Sequence, residues 1–465
     1  MAVWKISEIT KAVNGELINA PKDDLLIHGI QQDSRQIKEG FLFVPLIAER
    51  NGHDFVWQAQ EAGAIASFWS EDLEKAPKDL PLIIVEDSLK ALQETASWYL
   101  QKTQAKVVAI TGSNGKTTTK DMTAKVLERK YKTHKTAGNF NNHIGLPLTL
   151  LTMPTDTEVV VLEMGTSNPG EIELLSELAK PDTAIVTMIG ESHIEAFGTR
   201  ENLAKEKVSI ANHLKQNGLF IYPAEEELIT NQLPKKSRHK SFSVVSTTAN
   251  LFAENIVEKI NSTEFRVKDK ETRESMAMEI PVPGQYNVNN ALIALLVGLE
   301  YGISLEEGKE QLAKLKLTKD RLEWIEGIKD WSLLNDAYNA SPSSMRAVLN
   351  YFQGIETKEK KVLVLGDILE LGDLSKELHA GLAEAINLSI YDRVYLYGPA
   401  MQSLYEELIK KEGKEKVFHY QDEKAELAHA LEKNVVEGSY LLFKSSNGTD
   451  LLSLVQELRK KPIKK

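Results

Sequence analysis

The run Val107-Val-Ala-Ile-Thr-Gly-Ser-Asn-Gly-Lys-Thr-Thr-Thr119 carries the strongest chemical signal in the chain. A hydrophobic strand enters a glycine loop, and Gly-Lys-Thr then opens a helix bearing Met122, Val126 and Leu127. Gly112 and Gly115, with Ser113 and Asn114 between them, let successive N–H groups turn towards one point and form an anion nest. The positive end of the helix macrodipole adds to that field. Lys116 is spaced to reach the β- and γ-phosphates of a nucleotide, Thr117 to offer its hydroxyl to Mg2+, and Thr118 to continue the first turn. The two glycines stand closer than in the usual P-loop, so an ordinary strand–helix turn that happens to hold Gly-Lys-Thr is the competing reading. Strand, loop and helix in this order favour nucleotide binding. No Asn-Lys-x-Asp guanine-reading motif is present, which speaks against a GTPase.

Three further side chains have types suited to phosphate chemistry. Val159-Val-Val-Leu-Glu-Met-Gly165 reads as a buried strand ending in a carboxylate, and strand C-termini of a parallel nucleotide-binding sheet face the phosphates. Glu163 is therefore placed to hold Mg2+. His193 lies just beyond another strand end, 184–188, on a loop; a structural histidine is the alternative. Across 201–215, at about 100° per residue, Leu203, Ile210, Ala211 and Leu214 share one stripe, and Lys207 falls inside it while Lys205 points away. An inward lysine needs an anionic partner or a changed charge state, unless its stem merely snorkels along the apolar face.

These residues need a scaffold that gathers strand ends. Strand-like and helix-like segments alternate along most of the 465 residues, which predicts an α/β protein with mostly parallel sheets. Short alternating strands from 240 to 282 predict a small antiparallel sheet appended to the central one. A new α/β series after 319 predicts a further, Rossmann-like domain. The expected division is 1–84, 85–318 and 319–465, with a frayed basic end at 459–465.

Lys and Arg number 56 against 67 Asp and Glu, a net charge of −11. That balance argues against a protein that coats nucleic acid or an anionic membrane. With no cysteine, disulfides, zinc-thiolate sites and thiol catalysis are excluded. The first residues contain no apolar core of signal-peptide length, and no segment has the apolar length of a membrane span. A cytoplasmic protein is the expectation.

The short loop Thr111-Gly-Ser-Asn-Gly-Lys-Thr-Thr118 resembles that of the Mur ligase family, ATP-dependent amide-bond formers of peptidoglycan precursor synthesis. Within it the chain is similar to the branch that adds D-alanyl-D-alanine. That likeness rests on Gly138-Asn-Phe-Asn-Asn-His-Ile-Gly-Leu-Pro147, Asn335-Asp-Ala-Tyr-Asn-Ala-Ser-Pro342, Leu365-Gly-Asp-Ile-Leu-Glu-Leu-Gly372, Tyr397-Gly-Pro-Ala-Met401 and Asp33-Ser-Arg35. The branch adding the third amino acid differs: its Asp-Tyr-Ala-His-Thr-Pro is here Asp336-Ala-Tyr-Asn-Ala-Ser-Pro342, and its Asp-Asn-Pro-Arg is missing. A kinase, or a nucleotide-gated binding protein without catalysis, is the alternative from another class.

The resemblance implies an N-terminal domain for the UDP-muramoyl end, a central ATPase and a C-terminal domain that closes onto ATP. Carried over, Lys116 and Thr117 handle the ATP phosphates, Glu163 and His193 serve magnesium (two ions), and Lys207 matches the lysine that is carbamylated in the family. Asn287 and Asn290 fall where the family meets adenine, and Arg321 and Asp336 match C-terminal residues closing onto ATP. Ser34, Arg35 and Arg50 fall in the UDP-side region, and Asn139, Asn141 and Asn142 in the muramoyl-peptide region. The implied partners are UDP-N-acetylmuramoyl-tripeptide and D-alanyl-D-alanine, with no nucleic acid, on a monomer. Tyr286 stands where many relatives have His, and Lys444-Ser-Ser-Asn447 where Lys-Gly-Ser-Arg is usual.

Overall fold

The central sheet is built from short β-branched strands whose alternate residues feed two different cores. In Lys106–Thr111, Val107 and Ala109 join one core with Val160 and Leu162. Val108 and Ile110 join the other, with Met122, Val126 and Leu292. A strand buried on both faces reads as a continuous apolar run and sits in a parallel sheet covered by helices. The computed structural model describes residues 2–316, 321–411 and 414–460; the expected boundary at 318/319 and the basic end beyond 460 lie outside them.

Nine strands form this sheet, in the spatial order Ser275–Ile280, Thr263–Asp269, Leu251–Glu258, Arg238–Ser243, Leu219–Pro223, Thr183–Val186, Lys106–Thr111, Val159–Glu163, Thr133–Lys135. The pairings are parallel from Thr133–Lys135 to Leu251–Glu258, and the last two are antiparallel. The antiparallel strands thus extend the same hydrogen-bonded sheet. The chain moves outward from Lys106–Thr111 to one side and later crosses to the other, so the C-terminal end of that strand is the switch point where α/β sheets open a crevice.

Before it, a five-stranded sheet holds Glu16–Ile18, Leu82–Ile84, Ala64–Trp69, Phe41–Phe43 and Gly29–Gln31. Its inner face shares a core with helix Ser88–Thr103 and with the central sheet, running from Trp4, Phe68 and Ile83 through Leu92 and Tyr99 to Val107. After it, six strands stand in the order Glu323–Glu326, Ser332–Asp336, Tyr440–Lys444, Lys361–Gly366, Tyr391–Tyr397, Val417–Tyr420. Only the first pairing there is antiparallel. No helix among the described residues is long and apolar enough to cross a membrane.

The helix expected over 201–215 is shorter, spanning Arg200–Val208. Ser209 donates its hydroxyl to the Glu206 carbonyl at 2.6 Å, and the chain tightens into the 3-10 turn Ser209–Ala211. A serine that bonds its own backbone offers this alternative to continuing the helix. Lys207 is nonetheless buried and Lys205 exposed, as the periodicity requires.

Ile194, from the loop after Thr183–Val186, is buried in the core of the C-terminal section, together with Leu334, Met345, Ile368 and Leu371. Ile194→Ala should remove about 2–5 kcal/mol from the docking of that section. A larger radius of gyration in X-ray scattering, with unchanged far-UV circular dichroism, is the expected result; identical scattering curves would contradict it.

Candidate active site

The loop after Lys106–Thr111 is held from the side by the neighbouring strand end. Ser113 N–H donates to the Met188 carbonyl at 3.0 Å, and the Thr187 hydroxyl donates to the Asn114 carbonyl at 2.6 Å. Gly112 adopts φ +147°, and a Cβ there would lie 1.8 Å from the Thr187 hydroxyl. Gly115 adopts φ +81°, with the Asn290 amide oxygen 2.7 Å from where a Cβ would stand. Both positions therefore require glycine. Helix Lys116–Leu127 follows directly, so the N–H groups of its first turn stand at the cavity.

That cavity, about 640 Å3, is lined by Ser113, Asn114, Gly115, Lys116, Thr117 and Thr118 on one side and by Arg321, Asp336 and Lys444 on the other. Glu163, His193, Asn287, Asn290, Asn139, Asn141 and Asn142 line it too. Most of the residues expected to meet the nucleotide are thus gathered in one place, although they span more than two hundred positions in sequence. Ser34, Arg35 and Arg50 are elsewhere, in the first sheet's loops. Ser34 is buried and donates to Gln58 at 2.9 Å, while Arg35 forks onto Asp33 at 2.9 and 2.8 Å and Arg50 is exposed. The Arg35 bonds hold the Asp33 carboxyl down at about 2.

Lys116 turns its ammonium back to the Gly112 carbonyl at 2.9 Å. Burial lowers its pKa; the charge of Glu163 opposes that shift and the nearby Arg321 adds to it. Glu163 is buried, and one of its oxygens accepts from the Asn141 amide at 2.9 Å. The other has no hydrogen-bond partner among the described residues, with the Lys120 ammonium 4.0 Å away. A buried carboxylate oxygen without a hydrogen bond, in the wall of a cavity that Thr117 and His193 also line, is of a chemistry suited to a hard cation. Among the described residues no three His, Asp or Glu side chains cluster with metal-ligand spacing.

Lys207 does not line the cavity, yet it lies close enough to Lys116 and His193 to interact electrostatically with both. Its pKa lies well below the lysine range, chiefly through burial and next through the Lys116 charge. Glu206 is not its ion-pair partner: that carboxylate accepts from the N–H groups of Gly170 and Ile172 at 2.8 and 2.9 Å.

Asn287 and Asn290 spend part of their amides on each other. Thr119 donates to Asn290 at 3.0 Å, Asn290 to Asn287 at 2.9 Å, and Asn287 to the Pro283 carbonyl at 2.6 Å. Asn142 likewise uses its oxygen to cap helix Gly145–Leu151.

Beside Arg321 and Asp336, which the sequence singles out, the C-terminal section adds Lys444, Tyr338, Ser341 and Ser343, which it does not. Asp336 and Lys444 end adjacent strands in register, and the Lys444 ammonium donates to Asp336 at 2.6 Å and to the Asn339 carbonyl at 3.0 Å. Arg321 stacks over the Tyr338 ring at 4.8 Å. Asn114 of the phosphate loop donates to Ser341 and Ser343 at 2.9 and 3.1 Å. The usable signal for Lys444 was its place at the end of a buried strand, the same signal that selected Glu163.

Comparison with known proteins fits this layout. Residues 110–298 match the model of the Mur ligase middle domain, and 320–447 that of the Mur ligase, glutamate ligase domain. The chain belongs to the Mur ligase family. It is 42% identical, over 98% of its own length and 99% of the relative's, to the UDP-N-acetylmuramoyl-tripeptide–D-alanyl-D-alanine ligase of Bacillus subtilis (strain 168). The corresponding Escherichia coli (strain K12) enzyme is 36% identical over 84% of this chain and 85% of its own. Among solved structures, MurF from Acinetobacter baumannii superposes with a TM-score of 0.89 at 28% identity, covering 99% of this chain and 100% of that one. MurF from Thermotoga maritima, in complex with ADP, gives 0.81 at 27% identity, covering 92% and 96%.

Within this Mur ligase the Asp336–Lys444 pair is the buried link whose loss is easiest to read. Lys444→Met keeps the volume of the stem and should lower the free energy of unfolding by about 3 kcal/mol, since one member of a buried pair is left alone. Denaturant titration measures this, and an unchanged midpoint would show that Asp336 does not depend on the ammonium.

Proposed function

We propose that the chain joins the amine of D-alanyl-D-alanine to the terminal carboxylate of UDP-N-acetylmuramoyl-tripeptide, converting ATP to ADP and phosphate. The observation that carries this reading is the single cavity onto which the phosphate loop and the Arg321–Asp336–Lys444 edge both open. The three sections 1–84, 85–318 and 319–465 act as UDP-substrate, ATP and closing domains. Ser34, Arg35 and Arg50 serve the UDP side; Asn139, Asn141 and Asn142 serve the muramoyl peptide. Asn287 and Asn290 turn their remaining amide hydrogens to adenine. The enzyme works as a cytoplasmic monomer.

The chemistry follows from the charges. A carboxylate and an amine do not condense in water, so a carboxylate oxygen of the tripeptide first attacks the γ-phosphorus. The bond from that phosphorus to the β-bridging oxygen breaks, ADP departs, and an acyl phosphate remains. Two anions must approach for this, and Lys116, released from the Gly112 carbonyl, moves to the γ-phosphate with Arg321 facing it. The amine then attacks the acyl carbon, the tetrahedral adduct expels phosphate, and the nitrogen loses its proton. Holding three substrates at one point is a proximity task that the docking of the C-terminal section performs. Magnesium, when bound, neutralises the phosphate oxygens; Thr117, Glu163 and His193 are the side chains to hold it, with Lys207 serving a second ion.

Lys207 supports that second role as a carbamate. Burial favours its neutral amine, which can add to CO2, forming an N–C bond and releasing one proton, and so becomes an anion among cations.

Release of ADP that requires both the UDP-tripeptide and the dipeptide tests the reaction. Lys116→Ala should abolish it and leave the melting temperature unchanged, because a loop cation and no core residue is lost. Sustained, multiple-turnover release of ADP with either substrate alone would refute the proposed reaction, whereas a single turnover with ATP and the UDP-tripeptide reports the acyl-phosphate step itself. Lys207→Ala should lose most turnover and regain part of it with added acetate or formate, whereas Lys205→Ala should change little. Full activity of Lys207→Ala would remove the carbamate.

A further inference from the structure

His193 reaches its place through a segment far away in sequence. Its Nδ1 is wholly buried, makes no hydrogen bond of good geometry among the described residues, and has the carboxylate of Glu370, from the loop after strand Lys361–Gly366, in ion-pair contact as the group facing it. The ring still lines the cavity, so the nitrogen it offers there is Nε2. A carboxylate on one imidazole nitrogen fixes the tautomer and leaves the lone pair on the other.

The Glu370 loop is itself fixed on several sides. The Ile368 N–H donates to His379 Nε2 at 3.0 Å, while His379 Nδ1 donates to the Ser375 carbonyl at 2.7 Å. The Leu369 N–H donates to the Ser446 hydroxyl at 2.9 Å. Glu370 adopts φ +62°, and its carbonyl accepts from Glu195 N–H at 3.3 Å, two residues beyond His193. The loop and the histidine are therefore joined by backbone as well as side chain, across the docking contact made by Ile194.

We propose that Glu370 is a positioning residue for His193: docking of the C-terminal section brings its carboxylate to Nδ1 and turns the Nε2 lone pair to the phosphate end of the cavity. Cation binding at His193 is thereby made conditional on docking. This rests on the reading of His193 as a cation ligand under the proposed function, and it assigns a task to the Leu365–Gly372 motif, which that function leaves without one.

The test uses the full chain with a non-hydrolysable ATP analogue and Mn2+ as the probe, its binding read by electron paramagnetic resonance. Glu370→Ala should weaken Mn2+ binding by about 10–100-fold. Glu370→Gln should fall between it and the parent, because the amide oxygen still accepts from Nδ1–H. In a His193→Ala background the Glu370→Ala change should have no further effect. Unchanged Mn2+ binding in Glu370→Ala, or the same loss in both backgrounds, would overturn the proposal; the latter would leave Glu370 a docking residue only. Sustained, multiple-turnover ADP release without the dipeptide would refute the proposed reaction and leave this cycle readable.

Discussion

The concentration of positive charge around the phosphate loop is the constraint on which the rest of this structure depends. Lys116 and Arg321 line one cavity, Lys207 lies within electrostatic reach of Lys116, and each cation makes the next more costly to keep charged. The protein offsets part of that cost with the Glu163 carboxylate and with the loop carbonyls that receive the Lys116 ammonium. The supporting bonds serve the same end: the Thr136 hydroxyl accepts from Glu163 N–H at 3.0 Å and Asn141 holds one carboxylate oxygen, which leaves the other without a hydrogen bond among the described residues, 4.0 Å from the Lys120 ammonium, in the wall of the cavity that Thr117 and His193 also line.

Docking of the two parallel sheets is what encloses this charge. Each sheet presents the C-terminal ends of its strands, where Glu163 stands on one side and the Asp336–Lys444 pair on the other. The contact is made by the loop that binds phosphate, through Asn114 to Ser341 and Ser343, and by the residues flanking it, through Ile194 and His193. The same residues, Asn114 and His193, face both the cavity and the neighbouring section, so the geometry of one bears on that of the other. The two sites are linked by shared atoms rather than by a transmitted displacement.

Local chemistry was legible in the sequence; contacts between distant segments were not. The phosphate loop announces itself because its signal lies within a dozen consecutive residues, and Glu163 and His193 because a buried strand ends beside each. Lys207 was legible from helix periodicity, though the helix ends at Val208, where a serine hydroxyl bonds the backbone. Glu370 and Ser341 carry no such mark, since their roles arise only when strand ends of different sheets meet, whereas Lys444 ends the buried strand Tyr440–Lys444 and carries the same signal as Glu163. Asn287 and Asn290 show the reverse: expected at the nucleotide site, they do line the cavity, but the chain from Thr119 to Pro283 that occupies part of their amides was not legible.

The C-terminal sheet raises a question that its topology alone would answer wrongly. An open parallel sheet of this kind offers a nest of N–H groups at a strand-to-helix turn, where other proteins bind a dinucleotide. Here the turn after Tyr391–Tyr397 has its anion already: Asp367 accepts from Met401 and Ala400 N–H groups at 2.9 and 3.2 Å. Burial pushes that carboxyl up, while these two bonds hold it towards the charged form. A nest filled by a side chain of the same domain has little to offer a phosphate. The second sheet therefore contributes reach: it carries Arg321, Asp336 and Lys444 to the cavity at the phosphate loop of the first, and Glu370 to His193 beside it.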